Sequence, residues 1–215
     1  ENMLGTNPLV FGMPTDEPFI FTNDYATSIS QRGKIEQYAR EGKSLPPGWV
    51  IDHTGNTLTD PNVVLKALVE GTAALCPVGG MGEESGGYKG YGYATVVEIL
   101  SAALQQGAFM KQLLGYDADG TKVPYRLGHF FLAIDIAAFA DVDSVKKTTG
   151  DILRELRNSQ KAPGADRIYT CGEKEHLAGI EREGKGVPIN PALQAQMIEM
   201  RDELGLSDYQ FPFDD

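Results

Sequence analysis

The sequence predicts an α/β fold in which helices cover both faces of a sheet. Residues 129–136 (HFFLAIDI) form a continuous apolar run, which is typical of a central strand that is buried on both sides. Shorter strand-like segments alternate with helical periodicities along the chain, as expected for a layered α/β domain. They lie at residues 9–11, 19–21, 49–51, 73–78 and 167–170.

Start and stop signals define two of the helices. Asp60 and Asn190 are N-cap residues, a proline follows each at the first helical position, and Gly205 ends the second of these helices. Hydrophobic periodicity predicts further helices. They cover residues 32–43, 93–104 and 142–156, and another begins near Glu173. The 93–104 helix is apolar on all sides, so we expect it to be buried nearly all round.

Composition excludes several classes of function. Of the 215 residues, 41% are hydrophobic and 23% are charged, which is ordinary for a globular protein. The formal net charge of -11 disfavours nucleic-acid binding, and no apolar run reaches the roughly 18–20 residues that span a bilayer. Cys76 and Cys171 lack CxxC partners, so we predict neither a disulfide framework nor a metal site, and a cytoplasmic location.

The densest glycine segment, residues 79–92, contains Lys89 and precedes a predicted helix. Seven of its fourteen residues are glycine. Backbone amides, a helix N-terminus and a lysine together suit a phosphate group. The spacing fits neither the Walker form, which needs Ser or Thr after the lysine, nor GxGxxG. The residues alone leave two interpretations open: an anion-binding loop, or a flexible hairpin with a solvated Lys89.

A second candidate segment is DYATS at residues 24–28, where a predicted strand ends and a helix begins. Ligands of α/β sheets bind outside the carboxyl ends of the strands. Asp24 could accept hydrogen bonds from ribose hydroxyls, and Ser28 could bind phosphate. The alternative is that these polar residues, with Thr27 and Ser30, only cap the helix that follows.

None of the three histidines belongs to a recognisable catalytic motif. His53 and His176 lie in turn-rich and charged segments, where we expect them to be solvated. His129 opens the predicted central strand near the edge of the sheet, which is a plausible position for a site residue. A structural role for His129 remains the alternative.

Five segments occur in a diagnostic order. They are LGTNPL at residues 4–9, DYATS at 24–28, GGYKGYG at 86–92, LGHFF at 127–131 and YTCGEK at 169–174. Together they resemble the type 2 malate/L-lactate dehydrogenase family, which also contains sulfolactate and ureidoglycolate dehydrogenases and cyclic-imine carboxylate reductases. The resemblance spans nearly the whole chain.

The resemblance implies a three-layer α/β/α domain with a mixed, non-Rossmann sheet, followed by C-terminal helices. We assign residues 1–160 to this NAD(P)-binding domain, without its N-terminal part. Residues 161–215 become a helical segment that packs on the domain or on a dimer partner. The family further implies NAD or NADP as cofactor, a homodimer, and interconversion of a small 2-oxo acid and a 2-hydroxy acid.

The family's motifs also imply roles for individual residues. The cofactor-binding positions carried over are Asp24, Tyr25, Ala26, Lys89, Gly90, Gly172, Glu173 and Lys174. Cys171 departs from the proline that is common at its position, which changes the expected shape of that loop. The family's catalytic histidine and substrate-gripping residues precede the LGTNPL segment, so we expect the catalytic residues upstream of Glu1, with His129 as the candidate within this chain.

Two rival functions follow from the same residues. One is a catalytically silent nucleotide-binding module. The other, a phosphate-handling transferase, is disfavoured because no Ser or Thr follows Lys89 to bind magnesium. The sequence leaves the choice between NAD and NADP, and the identity of the acid, open.

Overall fold

The computed structural model describes residues 2–214, which form a mixed α/β fold. Its strands are β1 (Leu9–Met13), β2 (Phe21–Tyr25), β3 (Val50–Asp52) and β4 (Ala73–Leu75). Its α-helices are α1 (Arg32–Arg40), α2 (Pro61–Glu70), α3 (Gly87–Ala102), α4 (Val142–Asn158), α5 (Glu173–Arg182) and α6 (Pro191–Glu203). The chain divides into two compact units, one ending at Glu173 and the other beginning at Lys174.

The strands form two separate antiparallel pairs. β1 pairs with β2, so that Val10 lies opposite Asp24, and β3 pairs with β4, so that Ile51 lies opposite Ala74. Residues 2–214 therefore hold two short ribbons rather than one continuous sheet. No helix within these residues is long and apolar enough to cross a membrane.

The hydrophobic core of the first unit lies between α1, α2 and the β3–β4 pair. Ile35, Val50 and Val64 are completely buried there. Full burial of a side chain of this size contributes about 1.5–3 kcal/mol. The rings of Tyr38 and Trp49 pack on this core with their centroids 5.6 Å apart. The core thus fixes β4, from which the chain runs into the glycine segment.

The predicted helix caps are confirmed at α2 and α6. The Asp60 carboxylate accepts hydrogen bonds from the backbone amides of Asn62 and Val63. The Asn190 side chain accepts one from the amide of Leu193. Both helices begin with proline, so the local signals alone were sufficient to place these two starts.

The predicted central strand at residues 129–136 is wrong. Residues 129–135 have no strand partner in the described chain, and a short 3-10 turn (Ile136–Ala138) follows. Phe131 is 88% exposed and Leu132 is 72% exposed. An apolar run becomes a central strand only where neighbouring strands and covering layers exist, and residues 2–214 do not supply them. The strand predicted at residues 167–170 is absent for the same reason.

The helix that follows the glycine segment also differs from the prediction. α3 begins at Gly87 rather than near Tyr93, so Lys89 lies in its first turn and not in a loop. Its small residues, including Gly90 and Ala94, are buried, whereas Tyr93 is 51% exposed. The expectation of a helix buried nearly all round is therefore wrong within the described residues.

Candidate functional site

Thr27 holds the loop at residues 4–8 against the end of β2. Thr27 is only 1% exposed, and its amide donates a 2.9 Å hydrogen bond to the carbonyl of Thr6. Its hydroxyl lies 2.9 Å from that carbonyl and 3.0 Å from the carbonyl of Asn7. The first two motif segments are thereby joined.

The predicted capping role of the DYATS hydroxyls is wrong. The N-cap of α1 is Gln31, and no side chain caps the helix. The Ser28 hydroxyl donates to the carbonyl of Ser30 at 2.5 Å. Thr27 and Ser28 instead shape the segment between β2 and α1.

Asn7 connects the same loop to α3. Its φ of +36° lies in the left-handed region that side chains other than glycine rarely adopt. Its side-chain amide donates to the carbonyl of Ala94 and to the carboxylate of Glu98, both at 2.9 Å. The other oxygen of Glu98 accepts a 2.7 Å bond from the amide of Met110. Glu98 therefore fixes two loops to one helix.

Glycine allows the segment after β4 to pack closely against the start of α3. A Cβ on Gly79 would lie 2.6 Å from the carbonyl group of Gly86, and one on Gly90 would collide with the backbone of Val78. Gly92, by contrast, faces open space. Part of the glycine density is thus required by the packing of the chain on itself.

Lys89 places an exposed cation in the first turn of α3. Its Nζ lies 5.8 Å from the centroid of the Tyr88 ring, and its aliphatic part lies near Gly86. No carboxylate within residues 2–214 forms an ion pair with it. The positive end of the helix dipole lies at the same place. Lys89 is therefore accessible to an external anion. The hairpin interpretation is wrong for residues 87–92, which are helical, although Lys89 is solvent-exposed as that interpretation expected.

Asp24, Tyr25 and Ala26 lie at the end of β2, as predicted. Asp24 is exposed, whereas the next two residues are half-buried. The amide of Val78 donates a 2.9 Å bond to the carbonyl of Thr27, directly after this segment. Because Gly90 packs on Val78, the Asp24 segment and the start of α3 lie side by side.

The turn at residues 170–173 packs on the other end of β2. Gly172 has a φ of +89°, and a Cβ there would lie 2.5 Å from the carbonyl oxygen of Ile20 and 3.3 Å from the amide of Thr22. The Sγ of Cys171 lies 3.7 Å from the side-chain oxygen of Asn23. β2 therefore contains Asp24 and also provides the surface on which the Gly172 turn packs.

Glu173 is buried, and protein groups occupy its carboxylate. One oxygen accepts bonds from the amide and the hydroxyl of Thr170, at 3.1 and 3.3 Å, and the other contacts Arg167. Burial acts to raise the pKa of Glu173, but the Thr170 amide and the charges of Arg167 and Arg157 outweigh it, so the pKa lies below its ordinary value. Lys174 is the first residue of the second unit.

A cavity of about 220 Å³ lies where the first three motif segments meet. Its walls include Leu4, Gly5, Thr27, Ser28, Cys76 and Tyr91. Cys76 is 2% exposed, and burial raises the pKa of its thiol, so the group is a neutral apolar wall rather than a nucleophile.

His129 lies near the opposite end of α3 from Lys89. Its carbonyl accepts a hydrogen bond from Gln105, and the neighbouring Gly128 packs on the carbonyl of Ser101. The helix from Lys89 to Ser101 rises roughly 18 Å, at about 1.5 Å per residue. The structure therefore places the Asp24 segment and the start of α3 at one end of β2 and the Gly172 turn at the other, and His129 lies at the far end of α3 from Lys89.

Sequence reasoning missed the bridging role of Glu98. It is the only acidic residue in the otherwise apolar 93–104 segment, and this isolation is a signal that could have singled it out. The role of Arg157, described below, had no comparable signal, because its partners come from distant parts of the chain.

Comparison with known proteins identifies the family of the chain. The family described as malate/L-lactate dehydrogenase matches residues 1–198. The chain belongs to this family. The crystal structure of malate dehydrogenase from Entamoeba histolytica is similar to it with a TM-score of 0.87 and 39% identity, covering 98% of this chain and 57% of that chain.

Curated members of the malate/L-lactate dehydrogenase family show the same coverage. Malate dehydrogenase from Pyrococcus horikoshii is 37% identical over 207 residues, covering 96% of this chain and 54% of the relative. Delta(1)-pyrroline-2-carboxylate reductase from Agrobacterium fabrum is 35% identical over 201 residues, covering 94% and 53%. The chain thus spans about half the length of the curated relatives it matches.

Proposed function

We propose that this chain is the NAD(P)-binding part of a dehydrogenase that interconverts a 2-oxo acid and a 2-hydroxy acid. The observation that carries the proposal is the convergence of three motif segments on β2. Asp24 lies on the strand, Gly90 reaches its end through Val78, and Gly172 packs on its start. Family membership gives the class of reaction.

The residues present fit a dinucleotide. The exposed Asp24 carboxylate would accept hydrogen bonds from ribose hydroxyls. Lys89, with the N-terminus of α3, would hold a phosphate. At Gly90 and Gly172, the absence of a side chain would let the dinucleotide approach the backbone closely. Tyr25 and Ala26 would lie beside it. We include Lys174 among the cofactor-binding residues only because it belongs to the YTCGEK motif. A bound nicotinamide would supply or accept the hydride, and these residues would orient it.

The cavity beside Thr27 and Tyr91 would take one ring or a small acid. Its volume of about 220 Å³ is below the roughly 300–1,000 Å³ of pockets that enclose a whole ligand. We propose that most of the dinucleotide lies outside this cavity.

Reduction of a carbonyl also needs a proton donor and a cation for the substrate carboxylate. His129 lies at the wrong end of α3 to serve beside Lys89. We therefore place the catalytic residues in the part of the relatives' length that this chain does not span. The position of His129 is also the observation that favours the second candidate, a silent nucleotide-binding module.

The assembly follows from the same proposal. We propose a homodimer built on a three-layer α/β/α core with a mixed, non-Rossmann sheet. Residues 1–160 would belong to the cofactor domain and residues 161–215 to a helical segment. Tyr209 is 62% exposed and Leu204 is 64% exposed, which supports a contact surface in that segment. The free thiols of Cys76 and Cys171 fit a reducing compartment such as the cytoplasm.

A turnover assay tests the proposed function. Oxidation of NADH and NADPH is followed with oxaloacetate, pyruvate and sulfopyruvate, for this chain alone and for this chain joined to the region that precedes it in the full-length protein. We expect the longer protein to be faster by about 10²–10⁴, the usual effect of general acid catalysis. Binding without turnover by either protein supports the silent module. Equal turnover would show that this chain holds a complete site and would make His129 the first residue to mutate.

A further inference from the structure

A cluster of charged side chains, of which all but the half-exposed Arg167 are largely buried, contacts the turn at residues 170–173. We call Glu17, Arg157, Arg167 and Glu173 the anchor cluster. The side chains of Glu17, Arg157 and Glu173 are 12%, 16% and 4% exposed. Charges buried to this degree are stable only when they are paired, and removing one partner leaves the other uncompensated.

Arg157 joins two segments that are far apart in the sequence. Its guanidinium donates to Glu17 at 2.6 Å and to the Thr170 hydroxyl at 3.3 Å, and it lies 3.9 Å from the Glu173 carboxylate. It also lies over the ring of Phe19, 5.8 Å from the centroid. Since Glu17 and Phe19 lead directly into β2, one side chain connects the approach to β2 with the turn.

Glu173 stabilises the turn at residues 170–173 through hydrogen bonds within it. Its carboxylate accepts bonds from Thr170 and contacts Arg167, so both oxygens are engaged by the protein. Gly172, next to it, has no room for a Cβ against Ile20. The anchor cluster and this close contact together restrict residues 170–173 to one backbone conformation, next to the strand that contains Asp24.

We propose that Glu173 and Arg157 are positioning residues of the cofactor site: they fix the Gly172 turn against β2, and the Glu173 carboxylate does not touch the cofactor. The inference rests on the proposed function. It departs from the expectation, drawn from the motif, that Glu173 contacts the cofactor itself. Its physical basis is that the Glu173 side chain is only 4% exposed and both of its oxygens already accept hydrogen bonds from Thr170 or Arg167, so a ribose has little access to it.

Matched variants separate positioning from general stability. E173Q keeps the shape of the side chain and removes its charge, and R157M removes the link to Glu17. K147Q is the control, since Lys147 lies on the same helix as Arg157 but forms its ion pair with Asp151, at 2.6 Å, rather than with a member of the anchor cluster. All are titrated with NADH and NADPH by fluorescence.

We expect E173Q and R157M to weaken the binding of both nucleotides by the same factor, about 10- to 100-fold, as is usual when the support of a binding residue is removed. K147Q should leave both dissociation constants within about twofold. A direct contact from Glu173 to the adenosine ribose would distinguish a hydroxyl from a 2′-phosphate. A changed ratio of NADH to NADPH affinity in E173Q would therefore overturn the proposal, as would unchanged binding of both.

Hydrogen exchange without nucleotide tests the anchor independently. The amides of residues 170–173 should exchange faster in E173Q and R157M than in K147Q. Equal exchange in all three variants would contradict the anchor. Failure of the unmodified chain to bind either nucleotide would instead contradict the proposed function, while the exchange result would still decide whether the cluster holds the turn.

Discussion

The side-chain amide of Asn7 donates a 2.9 Å hydrogen bond to the carboxylate of Glu98, across 91 positions of the sequence. The same amide donates to the carbonyl of Ala94 on the previous turn of α3. Thr27 holds the backbone of Asn7 from the other side. These bonds unite the first motif segment, the end of β2 and α3, and they explain why an unfavourable φ is tolerated at Asn7.

Substitutions at Asn7 should separate its hydrogen bonds from its backbone strain. N7A loses the bonds and keeps the strain, so we expect a loss of about 1.5–3 kcal/mol in the free energy of unfolding. N7G should lose less, because glycine adopts positive φ freely. N7D should lose most at neutral pH, since it sets a carboxylate against Glu98. Urea unfolding measures all three; an N7D variant as stable as N7G would contradict the bond to Glu98.

Two glycines of α3 provide a matched pair. G90A should destabilise the protein because the new Cβ meets the backbone of Val78. G92A faces open space and should stabilise the helix by up to about 1 kcal/mol, the difference in helix propensity between alanine and glycine. Thermal unfolding of both variants checks the prediction. Equal midpoints would show that α3 does not pack on Val78 as described.

The charge of Lys89 should contribute to cofactor binding. K89M is expected to weaken NAD(P)H binding by about 1.5–3 kcal/mol, the range for a hydrogen bond to a charged group, and to leave the thermal midpoint nearly unchanged. K66M is a suitable control because Lys66 is an exposed lysine on α2, outside the candidate site, and its ion-pair partner is Glu70. Identical dissociation constants for K89M and the unmodified chain would count against the phosphate role.

Asp52 should make stability depend on pH in the acid range. Hydrogen bonds from the Thr54 hydroxyl and the Asn56 amide lower the pKa of Asp52 from 3.8 to about 2. The folded state therefore favours the carboxylate, so its contribution is complete above pH 3.8 and is lost as the pH falls towards 2. D52A should be less stable than the unmodified chain at neutral pH, and the gap in urea midpoint should narrow at low pH. A constant gap would contradict the shift.

Local features of the fold could be predicted from the sequence, and non-local ones could not. Asp60 and Asn190 cap their helices with groups two or three residues away, so a short window contains the whole interaction. The start of α3 at Gly87 was missed because close packing of the glycine segment, which extends the helix, depends on Val78 and Gly79. The exposed run at residues 129–135 shows that apolar character alone does not make a strand.

The same distinction holds for the candidate site. The position of Asp24 at the end of a strand could be predicted from motif and spacing, whereas Lys89, predicted ahead of a long helix, lies in the first turn of that helix. The buried state of Glu173 could not, since it depends on Arg157 and Arg167. The motif singles out this turn, but it cannot distinguish a residue that would contact a ligand from one that would hold the turn in place.

Calorimetric titration of this chain with NADH, NADPH and ATP–Mg²⁺ decides whether the segments around β2 bind a nicotinamide cofactor. We expect NADH or NADPH to bind at one site per chain, K89M to weaken this binding, and ATP–Mg²⁺ not to compete at equal concentration. Absence of binding by both dinucleotides, or a preference for ATP–Mg²⁺, would contradict the assignment of the segments around β2 to a nicotinamide cofactor.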